Sequence, residues 1–122
     1  GDSLSLYPVK GKLKLLVFWE ATDLACREEN VNLLDMYQKY HLRGLEIVSI
    51  SRDSNMQVWE KAINTDGMFW KQGIDSSSVV FDHYHVQTVP YILLLDEENK
   101  IIAKGLKGKA LQKKIGEELK KK

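Results

Sequence analysis

Asp23 and Cys26, three residues apart, are the side chains of this sequence with the clearest chemical potential. An ionised thiol is a nucleophile and a metal ligand, and a carboxylate can accept a proton or a hydrogen bond. Cys26 is the single cysteine among 122 residues, so the chain cannot close an internal disulfide. Any chemistry that needs two sulfur atoms therefore requires a sulfur from outside these 122 residues.

A helix over residues 23 to about 42 is predicted to position both side chains. Core-type residues recur in it at steps of seven, four and three, which trace one helical face: Cys26, Leu33, Tyr37 and Tyr40. The thiol of Cys26 is thus expected to point towards the core. Thr22 and Asp23 are good N-cap residues, and Gly44 is a good helix stop.

Short apolar runs on either side of this helix predict buried strands over residues 14–19 and 45–50. Strand, helix and strand joined by short connections predict a right-handed crossover between parallel neighbours. A second helix is predicted over residues 55–64, which carry Met56, Trp59 and Ile63 at spacings of three and four.

The glycines and serines of residues 68–78 predict a connection without regular structure, followed by a brief helical turn around residues 80–85. Residues 91–95 and 100–104 predict an antiparallel hairpin, and residues 109–120 a closing helix. Together these elements predict one α/β domain over residues 1–122, a three-layer α/β/α sandwich with a central mixed sheet. Residues 1–12 would be a lead-in segment.

The sequence resembles the TlpA-type, AhpC/TSA-related thioredoxin-like family over nearly its whole length. The resemblance rests on short motifs in chain order: Gly11-Lys12, Leu15-Leu16-Val17-Phe18-Trp19, Cys26-Arg27-Glu28-Glu29, Trp59 with Gly67 and Trp70, Tyr84-His85-Val86, and Val89-Pro90. It implies a thioredoxin-like fold and a relation to thiol-disulfide oxidoreductases, many of which are extracytoplasmic. A periplasmic or envelope location is expected on that basis alone.

The resemblance also assigns roles to residues. Asp23 stands at the first, attacking cysteine of the family's Trp-Cys-x-x-Cys pattern, Cys26 at the second, and Thr22 at the tryptophan. Glu29 matches an acidic residue that assists the redox pair in related reductases. Substrate would lie near Trp19, Thr22, Val89 and Pro90, with a cis Val89-Pro90 bond and the Val89 backbone offering hydrogen bonds to an extended polypeptide.

Dithiol exchange needs both sulfurs, one to attack and one to resolve the mixed disulfide. Asp23 can cap the helix with its charge but cannot form a sulfur-sulfur bond. The first hypothesis is therefore a module inactive in dithiol exchange that binds a polypeptide or serves as a scaffold. The alternative is a monothiol oxidoreductase or peroxidase that uses Cys26 with a resolving thiol from another protein. Asp23 and Glu29 are expected to disfavour the Cys26 thiolate.

The composition limits the classes of partner that can be expected. With 18 basic and 17 acidic side chains the net charge is +1, so no overall field favours nucleic acid. The apolar runs are far shorter than the roughly 20 residues of a membrane span, and membrane insertion is not expected. His83 and His85 lack a third ligand for a metal, and no cofactor is expected. The expected partner is a polypeptide or a thiol-containing protein. A start at Gly1 and not at Met suggests either a chain trimmed for expression or a domain excised from a longer protein.

Overall fold

A mixed β-sheet forms the centre of the computed structural model, which describes residues 10–121. The strands of this part are β1 (Leu13–Trp19), β2 (Leu45–Ser51), β3 (Lys71–Ile74), β4 (Tyr91–Asp96) and β5 (Ile101–Lys104). They lie in the order β3-β2-β1-β4-β5. β1, β2 and β3 are parallel, whereas β4 runs antiparallel to β1 and to β5.

Helices cover both faces of the sheet. They are α1 (Leu24–Tyr40), α2 (Met56–Asp66), α3 (Val79–His83) and α4 (Gly108–Lys120). A 3-10 turn, His41–Arg43, continues α1 and ends at Gly44, whose φ of 111° is one that glycine adopts without strain. The predicted three-layer sandwich with a mixed sheet is confirmed.

Two buried clusters lie on opposite faces of the sheet. The larger joins α1, α2 and α4 to the odd-numbered residues of β1, from Leu13 to Trp19. The smaller joins Leu16 and Phe18 of β1 to α3 and the segment after it, through Phe81 and Val86. This alternation along β1 is what a strand covered on both faces requires.

Most of the predicted elements are present within a few residues of their expected bounds, but β3 was wrongly assigned to a connection. The residues Lys71, Gln72 and Gly73 carry no apolar pattern that would predict a strand. The strand is defined by backbone pairing of residues 71–74 with residues 48–51 of β2. In α2, Met56 is 54% exposed, and Ala62 is the buried residue.

The lead-in predicted for residues 1–12 falls largely outside the described residues. Within the described part, the helices are too short or too polar to span a membrane.

Candidate functional site

Asp23 caps the N-terminus of α1, as predicted. Its backbone is extended (φ −89°, ψ 121°), and its Oδ1 accepts a hydrogen bond of 2.9 Å from the backbone N of Cys26. The backbone O of Asp23 accepts from the N of Arg27 at 3.1 Å. The carboxylate therefore satisfies a free N–H of the first helical turn, which is the work of an N-cap residue.

Cys26 lies one turn into α1 with its side chain in the core, as its place on the helical face predicted. It is 1% exposed. Burial is the main cause that raises the pKa of the Cys26 thiol to about 12; a hydrogen bond from the backbone of Glu20 opposes the shift, and the nearby charges of Asp23 and Glu20 add to it. At neutral pH the sulfur is a neutral thiol, which is a poor nucleophile.

Glu29 has a different environment from the one expected. Its Oε2 accepts from the backbone N of Gly108 at 2.9 Å and from Asn32 Nδ2 at 2.8 Å. The N-cap residue of α4, Lys107, makes no side-chain cap bond of its own, so Glu29 caps α4 from another helix. The second acidic neighbour that disfavours the Cys26 thiolate is Glu20 and not Glu29.

Arg27 and Asp66 fasten the start of α1 to the end of α2. Two guanidinium nitrogens of Arg27 contact the two carboxylate oxygens of Asp66 at 2.7 and 2.9 Å, and Asn30 Nδ2 adds a bond of 2.9 Å to the same carboxylate. Burial alone would raise the pKa of Asp66, but the bonds from Arg27 and Asn30 outweigh it and lower that pKa below its usual range. Arg27 also donates to the carbonyl of Ala21 at 3.2 Å.

A second polar group fixes the loop that precedes α1. Asp53, just after β2, accepts from the backbone N of Ala21 at 3.0 Å and is bonded to Ser51 Oγ. Arg52 pairs with the carboxylate of Glu20 and lies over the ring of Phe81, 4.9 Å from its centroid. Residues that follow β1 and β2, together with Phe81 of α3, thus fix the loop that carries Asp23.

Trp19 and Thr22, both expected near substrate, differ in accessibility. Trp19 is 0% exposed and belongs to the larger core cluster, so it lies beneath the site. Its indole Nε1 has no hydrogen-bond partner among residues 10–121. Thr22 is exposed and lies on the surface beside Asp23.

A cleft of about 390 Å³, here called the Pro90 cleft, lies where α1, α4 and the start of β4 meet. Its lining residues are Ala25, Glu28, Glu29, Asn32, Pro90, Lys107, Gly108 and Lys109. The Val89-Pro90 peptide bond is cis. Within residues 10–121, no backbone hydrogen bond joins Val89 to another residue. The cleft thus combines an apolar floor with charges of both signs.

The far side of the loop borders a second opening of about 430 Å³ between the start of α1 and α2, lined in part by Thr22, Arg27 and Lys61. His83 and His85 are both exposed. No group of three His, Cys, Asp or Glu side chains in the described part of the chain could hold a metal ion.

Sequence reasoning missed Asp66, Arg52 and Asp53, which organise the surroundings of Asp23. Each contacts a residue more than 30 positions away in the chain, and such pairs leave no periodic signal. Arg27 was the one available clue, because an arginine beside the helix start needs an acidic partner when it is partly buried.

The model of the AhpC/TSA family matches residues 1–104. Among curated relatives, the thiol-disulfide oxidoreductase ResA of Bacillus thuringiensis (strain Al Hakam) is 26% identical over 102 residues, which are 84% of this chain and 59% of ResA. The chain therefore spans about three-fifths of the length of this relative.

Solved structures give closer matches. The thioredoxin domain of a thiol-disulfide oxidoreductase from Bacteroides vulgatus is 36% identical with a TM-score of 0.86, covering 96% of this chain and 86% of that one. A thiol-disulfide oxidoreductase from Bacteroides fragilis is 30% identical with a TM-score of 0.85, covering 96% and 90%. The chain belongs to the AhpC/TSA family and has the thioredoxin fold of these thiol-disulfide oxidoreductases.

Proposed function

We propose that this domain binds an extended polypeptide in the Pro90 cleft and does not perform dithiol exchange. The observation that carries the proposal is the state of Cys26, a fully buried thiol with a pKa of about 12. Asp23, the residue at the helix terminus three positions earlier, is a carboxylate already bonded to the backbone N of Cys26. Neither group can begin a thiolate attack at neutral pH.

The Pro90 cleft supports a binding role that is independent of sulfur. Val89 precedes the cis bond, is half-buried, and its backbone pairs with no other backbone group of residues 10–121. A free amide and carbonyl beside a groove can pair with an extended chain in the manner of an added strand. Glu28, Lys107 and Lys109 at the rim offer charges of both signs to the side chains of that chain.

Insulin reduction by dithiothreitol tests the loss of dithiol exchange. The wild-type domain should leave the rate at background, because one buried thiol cannot complete the two-sulfur cycle. Asp23→Cys should raise the rate, since a thiol at a helix N-terminus has a lowered pKa. Wild-type catalysis that disappears in Cys26→Ser would contradict the proposal and favour a monothiol enzyme instead.

Binding is tested with an extended polypeptide that has no free thiol, the S-carboxymethylated B chain of insulin. Resonances of Ala25, Val89 and Gly108 should shift in ¹H-¹⁵N spectra. Ala25→Trp fills the cleft from an exposed position of α1 and should abolish these shifts. Val31→Trp is the matched control, because Val31 is also exposed on α1 but does not line the cleft. Equal binding by both variants would place the peptide elsewhere.

The expected location outside the cytoplasm stays a prediction from the family resemblance. Fractionation of cells that express the full-length protein, with detection of the domain by antibody, tests it. Recovery with the cytoplasmic fraction would overturn the prediction without affecting the binding proposal.

A further inference from the structure

The two walls of the Pro90 cleft carry charges of opposite sign. Lys107 and Lys109 belong to the wall formed by the start of α4, and Glu28 belongs to the wall formed by α1. All three residues are exposed. Glu29 also lines the cleft, but it is 9% exposed and its carboxylate is occupied as the cap of α4. Three charges therefore remain on the open surface of the cleft to meet a ligand.

These three charges have no counter-ion within the described chain. Among residues 10–121, neither Lys107, Lys109 nor Glu28 forms an ion pair. Further along α4 the arrangement is different, because Lys114 pairs with Glu118 at 3.2 Å. The first turn of a helix also carries partial positive charge, which adds to that of the two lysines. The α4 wall thus favours a carboxylate, and the α1 wall favours a cation.

The spacing of the two charges on a ligand follows from the sheet. Both walls lie on the same face of it, because α1 and α4 pack on the larger core cluster. Side chains of an extended polypeptide that pairs with Val89 would alternate between the two faces of the sheet. Residues two positions apart therefore face the cleft together, at a distance of about 7 Å along the chain. One bound polypeptide can thus present residues i and i+2 to the two walls.

We propose that the Pro90 cleft selects an extended polypeptide in which an acidic and a basic residue are two positions apart. The acidic side chain contacts Lys107 and Lys109, and the basic side chain contacts Glu28. This inference rests on the proposed binding function and adds the class of sequence that is bound. A polypeptide with two acidic residues would bring one of them to Glu28, and one with two basic residues would bring one of them to the lysines. Both contacts join like charges and are unfavourable.

Five peptides of equal length test the charge pattern. Two have mixed charge, N-acetyl-Thr-Glu-Thr-Lys-Thr-amide and N-acetyl-Thr-Lys-Thr-Glu-Thr-amide. The other three carry two glutamates, two lysines or two glutamines at the same positions. Titration of the ¹⁵N-labelled domain, followed at the backbone resonances of Ala25 and Gly108, measures each Kd. The tighter mixed-charge peptide should bind about threefold or more tightly than the glutamine peptide, as two exposed ion pairs predict. The two like-charged peptides should bind more weakly than the tighter mixed-charge peptide.

Charge reversal of one wall should change which peptide binds most tightly. Lys107→Glu with Lys109→Glu makes both walls acidic, so the peptide with two lysines should bind best. Glu28→Lys makes both walls basic, so the peptide with two glutamates should bind best. Lys61→Glu with Lys71→Glu is the matched control, because it changes the net charge equally at two exposed lysines outside the cleft. The control should keep the wild-type order of affinities.

Shifts at Ala25 and Gly108 with equal affinity for charged and neutral peptides would overturn the charge selection and leave the proposed binding function intact. The wild-type order of affinities in both charge-reversed proteins would also overturn the selection; since the two proteins alter different walls, one that fails to fold leaves the other as a test. An absence of shifts with all five peptides would overturn the selection as well. If the carboxymethylated insulin B chain also gave no shifts, the binding function itself would be overturned.

Discussion

The N-terminal end of α1 and the region between α2 and β3 differ in how their polar groups are paired. Around Asp23 the charged side chains are partnered within the chain: Arg27 with Asp66, Arg52 with Glu20, and Asp53 with the backbone of Ala21. Only the uncharged indole Nε1 of Trp19 lacks a partner there among residues 10–121. Between α2 and β3, the indole Nε1 of Trp59 and the side-chain amide of Gln72 have no hydrogen-bond partner among the described residues.

This difference separates two kinds of polar environment. At the start of α1 the charged groups are paired within the chain and the sulfur of Cys26 is buried. Unsatisfied buried polar atoms, by contrast, cost folding free energy. Four experiments measure what the groups of α1 contribute to the folded state.

Alkylation of Cys26 by iodoacetamide at pH 8 should be about a thousandfold slower in the native domain than in the unfolded chain. The thiolate is the reacting species, and a rise in pKa from 9.0 to about 12 reduces its population by about three powers of ten. Mass spectrometry in the presence and absence of urea measures both rates. Native alkylation within tenfold of the unfolded rate would show that the thiol is accessible and ionised.

The free energy of unfolding should fall as the pH rises above 9. The pKa of Cys26 is raised in the folded state, so the unfolded chain releases the thiol proton at a lower pH than the folded chain. The contribution of this thiol to the free energy of unfolding is therefore complete below pH 9 and is lost progressively towards pH 12. Between pH 8 and pH 10 the loss should be about 1 kcal/mol, and by pH 12 it should approach about 4 kcal/mol. Urea titrations of the wild type and Cys26→Ala isolate it from other titrating groups. Identical pH slopes in the two proteins would contradict the prediction.

Asp66→Ala should lower the free energy of unfolding by about 2 to 3 kcal/mol, since it leaves Arg27 and Asn30 without their shared acceptor. Asp35→Asn is the control: the Asp35–Lys39 pair is half exposed at 3.5 Å, and its loss should cost less than about 0.5 kcal/mol. Urea unfolding measures both. Similar losses for the two variants would mean that the contacts of Asp66 with Arg27 and Asn30 add no more to the free energy of unfolding than a surface ion pair does.

Glu29→Ala should cost about 1 to 2 kcal/mol, because the backbone N of Gly108 and the amide of Asn32 both lose an acceptor. Hydrogen exchange should speed up first in the initial turn of α4. Glu28→Ala removes an exposed carboxylate next to it in sequence and should be near neutral. Unchanged exchange in α4 would contradict the assignment of Glu29 as its cap.

Local patterns predicted the fold well. The helical spacing of Cys26 and Leu33 follows from one face of α1 lying against the core. The Asp23 cap follows from the unpaired N–H groups of the first helical turn, and the apolar runs of β1 and β2 follow from burial on both faces of the sheet. β3 could not be recognised, because Lys71, Gln72 and Gly73 are placed by backbone pairing with β2. The role of Glu29 could not be recognised either, since its acceptor contact with Gly108 spans 79 positions and depends on the docking of α4.

The capping of α4 by Glu29 also sets an order of events during synthesis. Gly108 and the apolar stripe of α4, Leu111, Ile115 and Leu119, are among the last parts of this sequence to be translated. Until they have left the ribosome, α4 is missing from the layer that α1 and α2 also form over β1, and the carboxylate of Glu29 lacks the backbone N of Gly108 as a donor. Native packing of the domain is therefore completed after translation of residue 119, and a nascent chain stalled before Gly108 would expose the surface that chaperones recognise.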